Sequence, residues 1–332
     1  MVKKSLAILC CVLLASAVLV SCQREGDGRV NLQVGITLTM DSHYGMGLQE
    51  FARLVYLYSE GSITVEIFPN SLLGNERDMI ESVSMGTQAM ALTSTGPIPN
   101  FFPDFAVLDL PYLFPTAEIA YYVLDGPVGQ SLLDQMPAQN IVGLGFWENG
   151  FRHVTNSVRE IRTPADLHGL RIRTMENPIH MDTYQVYGAS PLPMAMGEVF
   201  IALQQGVIDG QENPAINIYT SRLHEVQGFM SLTGNFYSPA VLMINRGMLE
   251  RMTEEQQAII WRAATEAKHW QRNFSQTNTE QYIERIRAAG TLVTEVDLDL
   301  WIAASQPVFD NFAATLNQDL VRRIQAAAAA HR

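Results

Sequence analysis

The chain has 332 residues, of which 47% are hydrophobic and 17% charged, the mixture of a folded globular protein rather than a disordered or fibrous one. That length accommodates two domains with a cleft between them, the usual place for a small ligand. Thirty-four acidic residues against 22 basic ones give a net charge of −12; this repels phosphate backbones, and with no basic run to offset it nucleic acid is excluded as a partner.

Lys3 and Lys4 precede an apolar run over residues 6–20. It is too short and too poorly flanked for a spanning helix and suits a secretory signal. The run ends in Leu19-Val20-Ser21-Cys22, which resembles a bacterial lipobox. Cleavage there would leave residues 1–21 as signal peptide and 22–29 as a tether, with acyl chains on Cys22 anchoring the protein to a bacterial membrane outside the cytoplasm. Cys10, Cys11 and Cys22 are the only cysteines, so the mature part has no other thiol, and disulfides, thiolate catalysis and Cys-based metal sites are excluded. Lys268 is its one lysine, and an anion site is therefore expected to use the planar fork of an arginine.

After the tether, Val30, Leu32, Val34 and Ile36 alternate with polar or small residues, which predicts a strand. Leu48, Phe51, Val55 and Tyr58 then recur at helical spacing until Gly61, and Ile63, Val65 and Ile67 alternate as a second strand, completing a βαβ unit. A helix over residues 75–85 and a strand over 89–92 follow, so the fold is read as α/β with a parallel or mixed sheet. Residues 96–115, rich in Pro and Phe, read as an irregular but packed connection. Helices near 117–124 and 128–135 precede a strand over 141–147, and a second domain is expected to begin near Gly150. There the pattern predicts a capped turn at 163–167, a strand at 170–174 and helices at 178–187 and 198–205.

Thr253 and Gln256 have capping-box spacing and open a stretch free of Pro and Gly until Gly290. If continuous, it forms a helix on the order of 55 Å long that crosses both domains; the alternative is two helices broken at residues 273–279, where polar residues of low helix propensity cluster. The alanines at 326–330 read as a fraying helical end.

Enzyme signatures are absent: there is no Gly-x-Ser-x-Gly elbow, no phosphate loop and no His-Glu-x-x-His helix, and the seven histidines form no close metal-binding pair. Neither a metal nor a cofactor is implied. The informative stretch is residues 166–214. Arg171 and Arg173 alternate with Leu170 and Ile172 on a strand, so both guanidinium groups are expected on one face, where a side chain at the strand's C-terminal end can reach a cleft. Asn213 supplies donors and an acceptor just before Pro214. Asp209 and Glu212 read as structural.

These pieces, with Leu72-Leu73-Gly74-Asn75-Glu76-Arg77, Asn149-Gly150-Phe151-Arg152 and the block at 209–214, closely resemble the DctP-type substrate-binding proteins of tripartite ATP-independent periplasmic (TRAP) transporters. The resemblance implies a two-lobed α/β receptor that closes on an organic acid and presents it to TRAP-type permease subunits in the membrane, without chemistry. It implies lobes of residues 30–149 with 238–278, and 150–237 with 279–332, and a ligand carboxylate clamped by Arg173, with Arg152 a second cationic contact and Asn213 a polar one. Glu76 and Thr37 fall where polar ligand contacts occur, and Ser94 and Thr95 lie on a loop facing the cleft. Met196 and Pro97 stand where sialic-acid-binding relatives carry Phe and Arg, so that sugar acid is not expected; a smaller or more apolar carboxylate is. Two alternatives remain: a receptor subunit that reports ligand to a membrane signalling partner, and a hydrolase or lyase on a similar fold.

Overall fold

The computed structural model describes residues 29–330; the predicted signal peptide and Cys22 lie outside them. Two sheets with covering helices make up an α/β fold. Among the described residues no helix is long and apolar enough to cross a membrane.

The first sheet grows from the predicted βαβ unit. Strand β1 (Val30–Gly35) pairs in parallel and in register with β2 (Ile63–Phe68), and helix α1 (His43–Tyr58) crosses between them. Helix α1 starts five residues before Leu48, because the Ser42 hydroxyl accepts from the Gly45 N–H as N-cap. Its apolar face (Leu48, Phe51, Val55) is fully buried, each such side chain contributing about 1.5–3 kcal/mol. Helix α2 (Glu76–Met85) opens on a capping box between Asn75 and Asp78 and closes at Gly86, whose φ of 77° is the left-handed conformation glycine permits. It feeds β3 (Met90–Ser94), which is parallel to β1. The Pro/Phe-rich stretch forms two short 3₁₀ segments, Ile98–Asn100 and Pro103–Asp109, with Phe102, Phe105, Leu108 and Phe114 buried.

Helices α3 (Ala117–Asp125) and α4 (Pro127–Leu133) lead to β4 (Ile141–Phe151), which runs four residues past the predicted strand. After a single residue, Arg152, the chain enters β5 (His153–Asn156) in the second sheet. That sheet adds β6 (Arg171–Thr174), helix α5 (Pro178–Val186), β7 (Ser190–Pro193), helix α6 (Met196–Gln204), β8 (Gly210–Asn213), helix α7 (Ala215–Thr220) and β9 (Phe229–Ser231). The chain then returns to the first sheet through β10 (Tyr237–Asn245), which lies antiparallel between β3 and β4, and continues into the short helix α8 (Arg246–Glu250).

Helix α9 (Glu254–Ala288) is continuous over 35 residues, about 52 Å at 1.5 Å per residue. It decides between the two sequence readings in favour of one helix. The polar segment does not break because tertiary bonds use its side chains: Ser275 Oγ and Gln276 Nε2 donate to the Glu148 carboxylate, while the Gln271 amide exchanges two bonds with the Glu148 backbone. Its first half packs Ile260, Ala263, Ala264 and Ala267 into the core beneath α1, and its second half packs Tyr282, Ile283 and Ile286 against α6 and α7. Strand β11 (Leu292–Thr294) completes the second sheet, in the order β11-β9-β5-β8-β6-β7. Helix α10 (Leu298–Thr315) then packs on α5, and α11 (Gln318–Ala330) crosses to α3. Within the alanine stretch at its end Ala328 is buried, while Ala326, Ala329 and Ala330 are exposed.

Candidate ligand-binding site

Parallel strands leave their carboxyl ends and the following loops open to a ligand, and the two sheets direct such ends at one another. Thr37 follows β1, Ser94 ends β3, Arg173 lies on β6, and Asn213 ends β8. These four line one narrow cavity of about 20 Å³, together with Leu38, Tyr44, Glu76, Asn149, Arg152, Met175, Met196 and Asn217. A second chamber of about 30 Å³ shares Glu76, Arg173, Met175 and Met196 with the first and adds Asn75, Arg77, Pro97, Glu176, Met194 and Ala195. Space on this scale holds one or two waters. Admission of an organic acid therefore requires the walls to part.

Arg173 is only 4% exposed. Its Nε and Nη2 both donate to the Met194 carbonyl, at 2.8 and 2.6 Å, which fixes the plane of the fork. Among the described residues no carboxylate lies within ion-pair reach of it; burial lowers its pKa from 12.5 to about 10, against a smaller upward pull from Glu212. A buried cation without a counterion is unfavourable, and a bound anion removes that penalty. Arg171, two residues away on the same strand face, does not reach the cavity. It stands at the other end of the four-residue strand, exposed, where Asp209 and the Gly206 carbonyl take its guanidinium.

Arg152 is buried and largely committed. Its Nε and Nη2 donate to the Glu212 carboxylate, and Nη2 also reaches the Glu212 carbonyl and Asn213 Oδ1. Burial alone would raise the Glu212 carboxyl; Arg152 and then His180 outweigh it and hold it at about 2. His180 stacks on Phe236 at 3.9 Å between centroids, with Nε2 3.4 Å from Asp109 Oδ1 and Nδ1 3.7 Å from Glu212 Oε1. The second separation exceeds a hydrogen bond, so that pull is mainly electrostatic.

Glu76 lines the cavity and is also engaged locally, its carboxylate accepting from the Ser94 N–H at 2.7 Å and the Ser94 hydroxyl at 2.6 Å. Thr95 is not brought to the cavity. It turns away because its N–H and hydroxyl both face the Pro239 carbonyl of the neighbouring strand. Met196 lines both chambers, and Asn213 Nδ2 points toward its sulfur at 3.8 Å. Sequence reasoning missed Tyr44, Asn149, Asn217, Met175 and Leu38. Tyr44 was lost by starting α1 too late, although Ser42, three residues before Gly45, has the character of a cap. Asn217 had a visible signal, one turn beyond Asn213 across Pro214. Among the described residues no cluster of three or more His, Cys, Asp or Glu could hold a metal ion.

Residues 34–315 match the bacterial extracellular solute-binding proteins, family 7 (DctP). The chain belongs to that family. It is similar to a TRAP periplasmic solute-binding protein from Polaromonas sp. JS666 bound to D-erythronate, at 42% identity and a TM-score of 0.87, over 90% of this chain and 99% of that one. It is likewise similar to the sugar acid binding protein DctPAm of Advenella mimigardefordensis in complex with galactonate, at 32% identity and a TM-score of 0.89, over 92% and 99% of the two chains. A third relative, the 2,3-diketo-L-gulonate-binding periplasmic protein of Escherichia coli, is 33% identical over 80% of this chain and 82% of its own length. Membership of this family makes the protein a solute-binding receptor of a TRAP transporter, not an enzyme.

Proposed function

We propose that the receptor captures an organic acid by one carboxylate on Arg173, closes its two lobes over it, and presents it to the permease subunits of a TRAP transporter. The observation that carries this reading is the buried guanidinium of Arg173, which lines the cavity without an acidic partner among the described residues. The ligands named for the three relatives, D-erythronate, galactonate and 2,3-diketo-L-gulonate, each offer one carboxylate. The lobes are residues 30–149 with 238–278 and 150–237 with 279–332, the last helix α11 reaching back from the second to pack on α3 and α4 of the first. The crossings at Asn149 to Arg152 and ahead of β10 are short, which suits hinge bending.

Two measurements on the purified receptor test this. Mass spectrometry of small molecules released by denaturation should find an organic acid, unchanged from the form in which it binds. Small-angle scattering should show a smaller radius of gyration when that acid saturates the protein, because the lobes must open to admit it. An unchanged radius at saturation would remove closure from the proposal; failure of every organic acid to bind would remove the receptor function itself.

Anchoring through Cys22 is the finer part of the localisation. It is supported by the lipobox-like Leu19-Val20-Ser21-Cys22 and by the lack of any cysteine after it. The full-length protein is expected to partition into detergent and its Cys22→Ala variant to stay in the aqueous phase, since two or more acyl chains hold a protein on a membrane stably. A native protein with a free, unmodified N-terminus would refute the anchor.

A further inference from the structure

Three polar atoms in the wall of the cavity are buried without a hydrogen-bond partner among the described residues: Tyr44 Oη, Arg152 Nη1 and Asn217 Oδ1. Native interiors leave few such atoms, and each asks for an explanation. Here all three belong to residues that line the same cavity as Arg173. Burial, followed by the negative charge of Glu76, keeps the Tyr44 phenol protonated by raising its pKa well above 10, so it can donate as well as accept. Asn217 is oriented by its own amide nitrogen, which donates to Asn149 Oδ1 at 3.0 Å and to Asn213 Oδ1 at 3.4 Å. That leaves its oxygen as a pure acceptor.

From these atoms we infer that the ligand is a hydroxylated monocarboxylate, and that Tyr44 and Asn217 are specificity-determining residues that read its hydroxyl groups. The inference rests on the proposed carboxylate receptor and deepens it. Two unpartnered donor groups and one acceptor are satisfied together by alcohol groups, each of which both donates and accepts. A methylene chain satisfies none of them. A second carboxylate could accept from Tyr44 and Arg152 but cannot donate to Asn217 Oδ1.

Charge leads to the same class. Three arginines line the two chambers. Arg152 is paired with Glu212, and Arg77 with Glu81 and Glu176. Arg173 alone among them has no ion pair within the described residues, and Glu76 adds a negative charge to the same wall. One carboxylate is accommodated; a second would sit near Glu76 with no free cation. Polar oxygens at the far end of the ligand replace the apolar character expected from Met196 in the sequence.

The test is calorimetric titration of the receptor, stripped of endogenous ligand by unfolding and refolding, with paired acids of two, three, four and six carbons. Each pair sets a hydroxylated monocarboxylate (glycolate, lactate, the four-carbon and six-carbon aldonates) against its unsubstituted counterpart, with succinate as the dicarboxylate. The best hydroxylated acid should bind at least tenfold more tightly than its counterpart and than succinate. Tyr44→Phe should weaken that acid about tenfold and leave the unsubstituted one unchanged, with the melting temperature of the unliganded variant as a check on folding; Asn217→Asp, which keeps an acceptor, should retain more affinity than Asn217→Leu. Succinate or an unsubstituted acid binding as tightly as any hydroxylated one would overturn the inference while leaving a carboxylate receptor. Equal weakening of every acid by Tyr44→Phe would overturn the role given to Tyr44. Binding of none of the acids would sink the receptor reading and this inference together.

Discussion

Arg173→Lys is expected to weaken organic-acid binding about tenfold to a hundredfold, the equivalent of losing a charged hydrogen bond contributing roughly 1.5–3 kcal/mol. Lysine keeps the positive charge but loses the planar fork. It also loses the paired donation to the Met194 carbonyl that sets the orientation of the native side chain. The variant should acquire a pH dependence that the wild type lacks. Burial lowers Arg173 only to about 10, so the native cation persists throughout the neutral range. A lysine starts from an ordinary value near 10.4 and is lowered by the same burial. As pH rises through the lysine's depressed pKa, the ammonium is lost and affinity falls with it. Titrations at pH 6, 7.5 and 9 should therefore give a flat series for the wild type and a declining one for the variant. Equal affinities at all three pH values would remove Arg173 from the ligand, and a collapsed melting temperature of the unliganded variant would make it a structural residue.

The alternation of Val30, Leu32 and Val34, and the helical spacing of Leu48, Phe51 and Val55, were legible because one face of each element is buried, and a buried face writes its period into the sequence. The capping box at Thr253 and the capped turn at Thr163 were legible because their partners lie three residues away in sequence. Less could be read where distant residues decide. Continuity of α9 through residues 273–279 depends on Glu148, more than 120 positions earlier, which takes up Ser275 and Gln276. The different surroundings of Arg171 and Arg173, two residues apart, come from the ends of a strand only four residues long and from an acid, Asp209, supplied by a neighbouring loop. Thr95 read as a cleft residue by its place beside Ser94, yet a carbonyl on an antiparallel strand captures it. Tyr44 and Asn217 carry no motif. Their significance is that Tyr44 Oη and Asn217 Oδ1 find no partner among the described residues, a property of the assembled cavity and not of any segment.

Glu212→Gln is expected to be among the most destabilising conservative substitutions in the molecule, by about 3–5 kcal/mol, because it leaves the buried Arg152 without its counterion. For a chain of this size that corresponds to a fall in melting temperature on the order of 10 °C at neutral pH. The loss should depend on pH with a definite sign. Against the upward push of burial, Arg152 and His180 depress the folded-state carboxyl from 4.5 to about 2. Its stabilising contribution is thus complete above the unfolded value and disappears as pH falls toward 2. The gap between wild type and variant should then be widest at neutral pH and narrow progressively below about pH 4.5, since glutamine imitates the protonated acid. His180 adds the opposite limb. Asp109 and Glu212 overcome the effect of burial and raise its pKa above 6.5, so its contribution is present below that value and is lost as pH rises through the raised one. Removing Glu212 withdraws one of those two acids, and the alkaline loss of stability should begin at lower pH in the variant. Thermal melts of both proteins from pH 3 to 9 measure the two limbs together. A gap that stays constant across that range would assign the cost to packing and refute the ion pair as its cause.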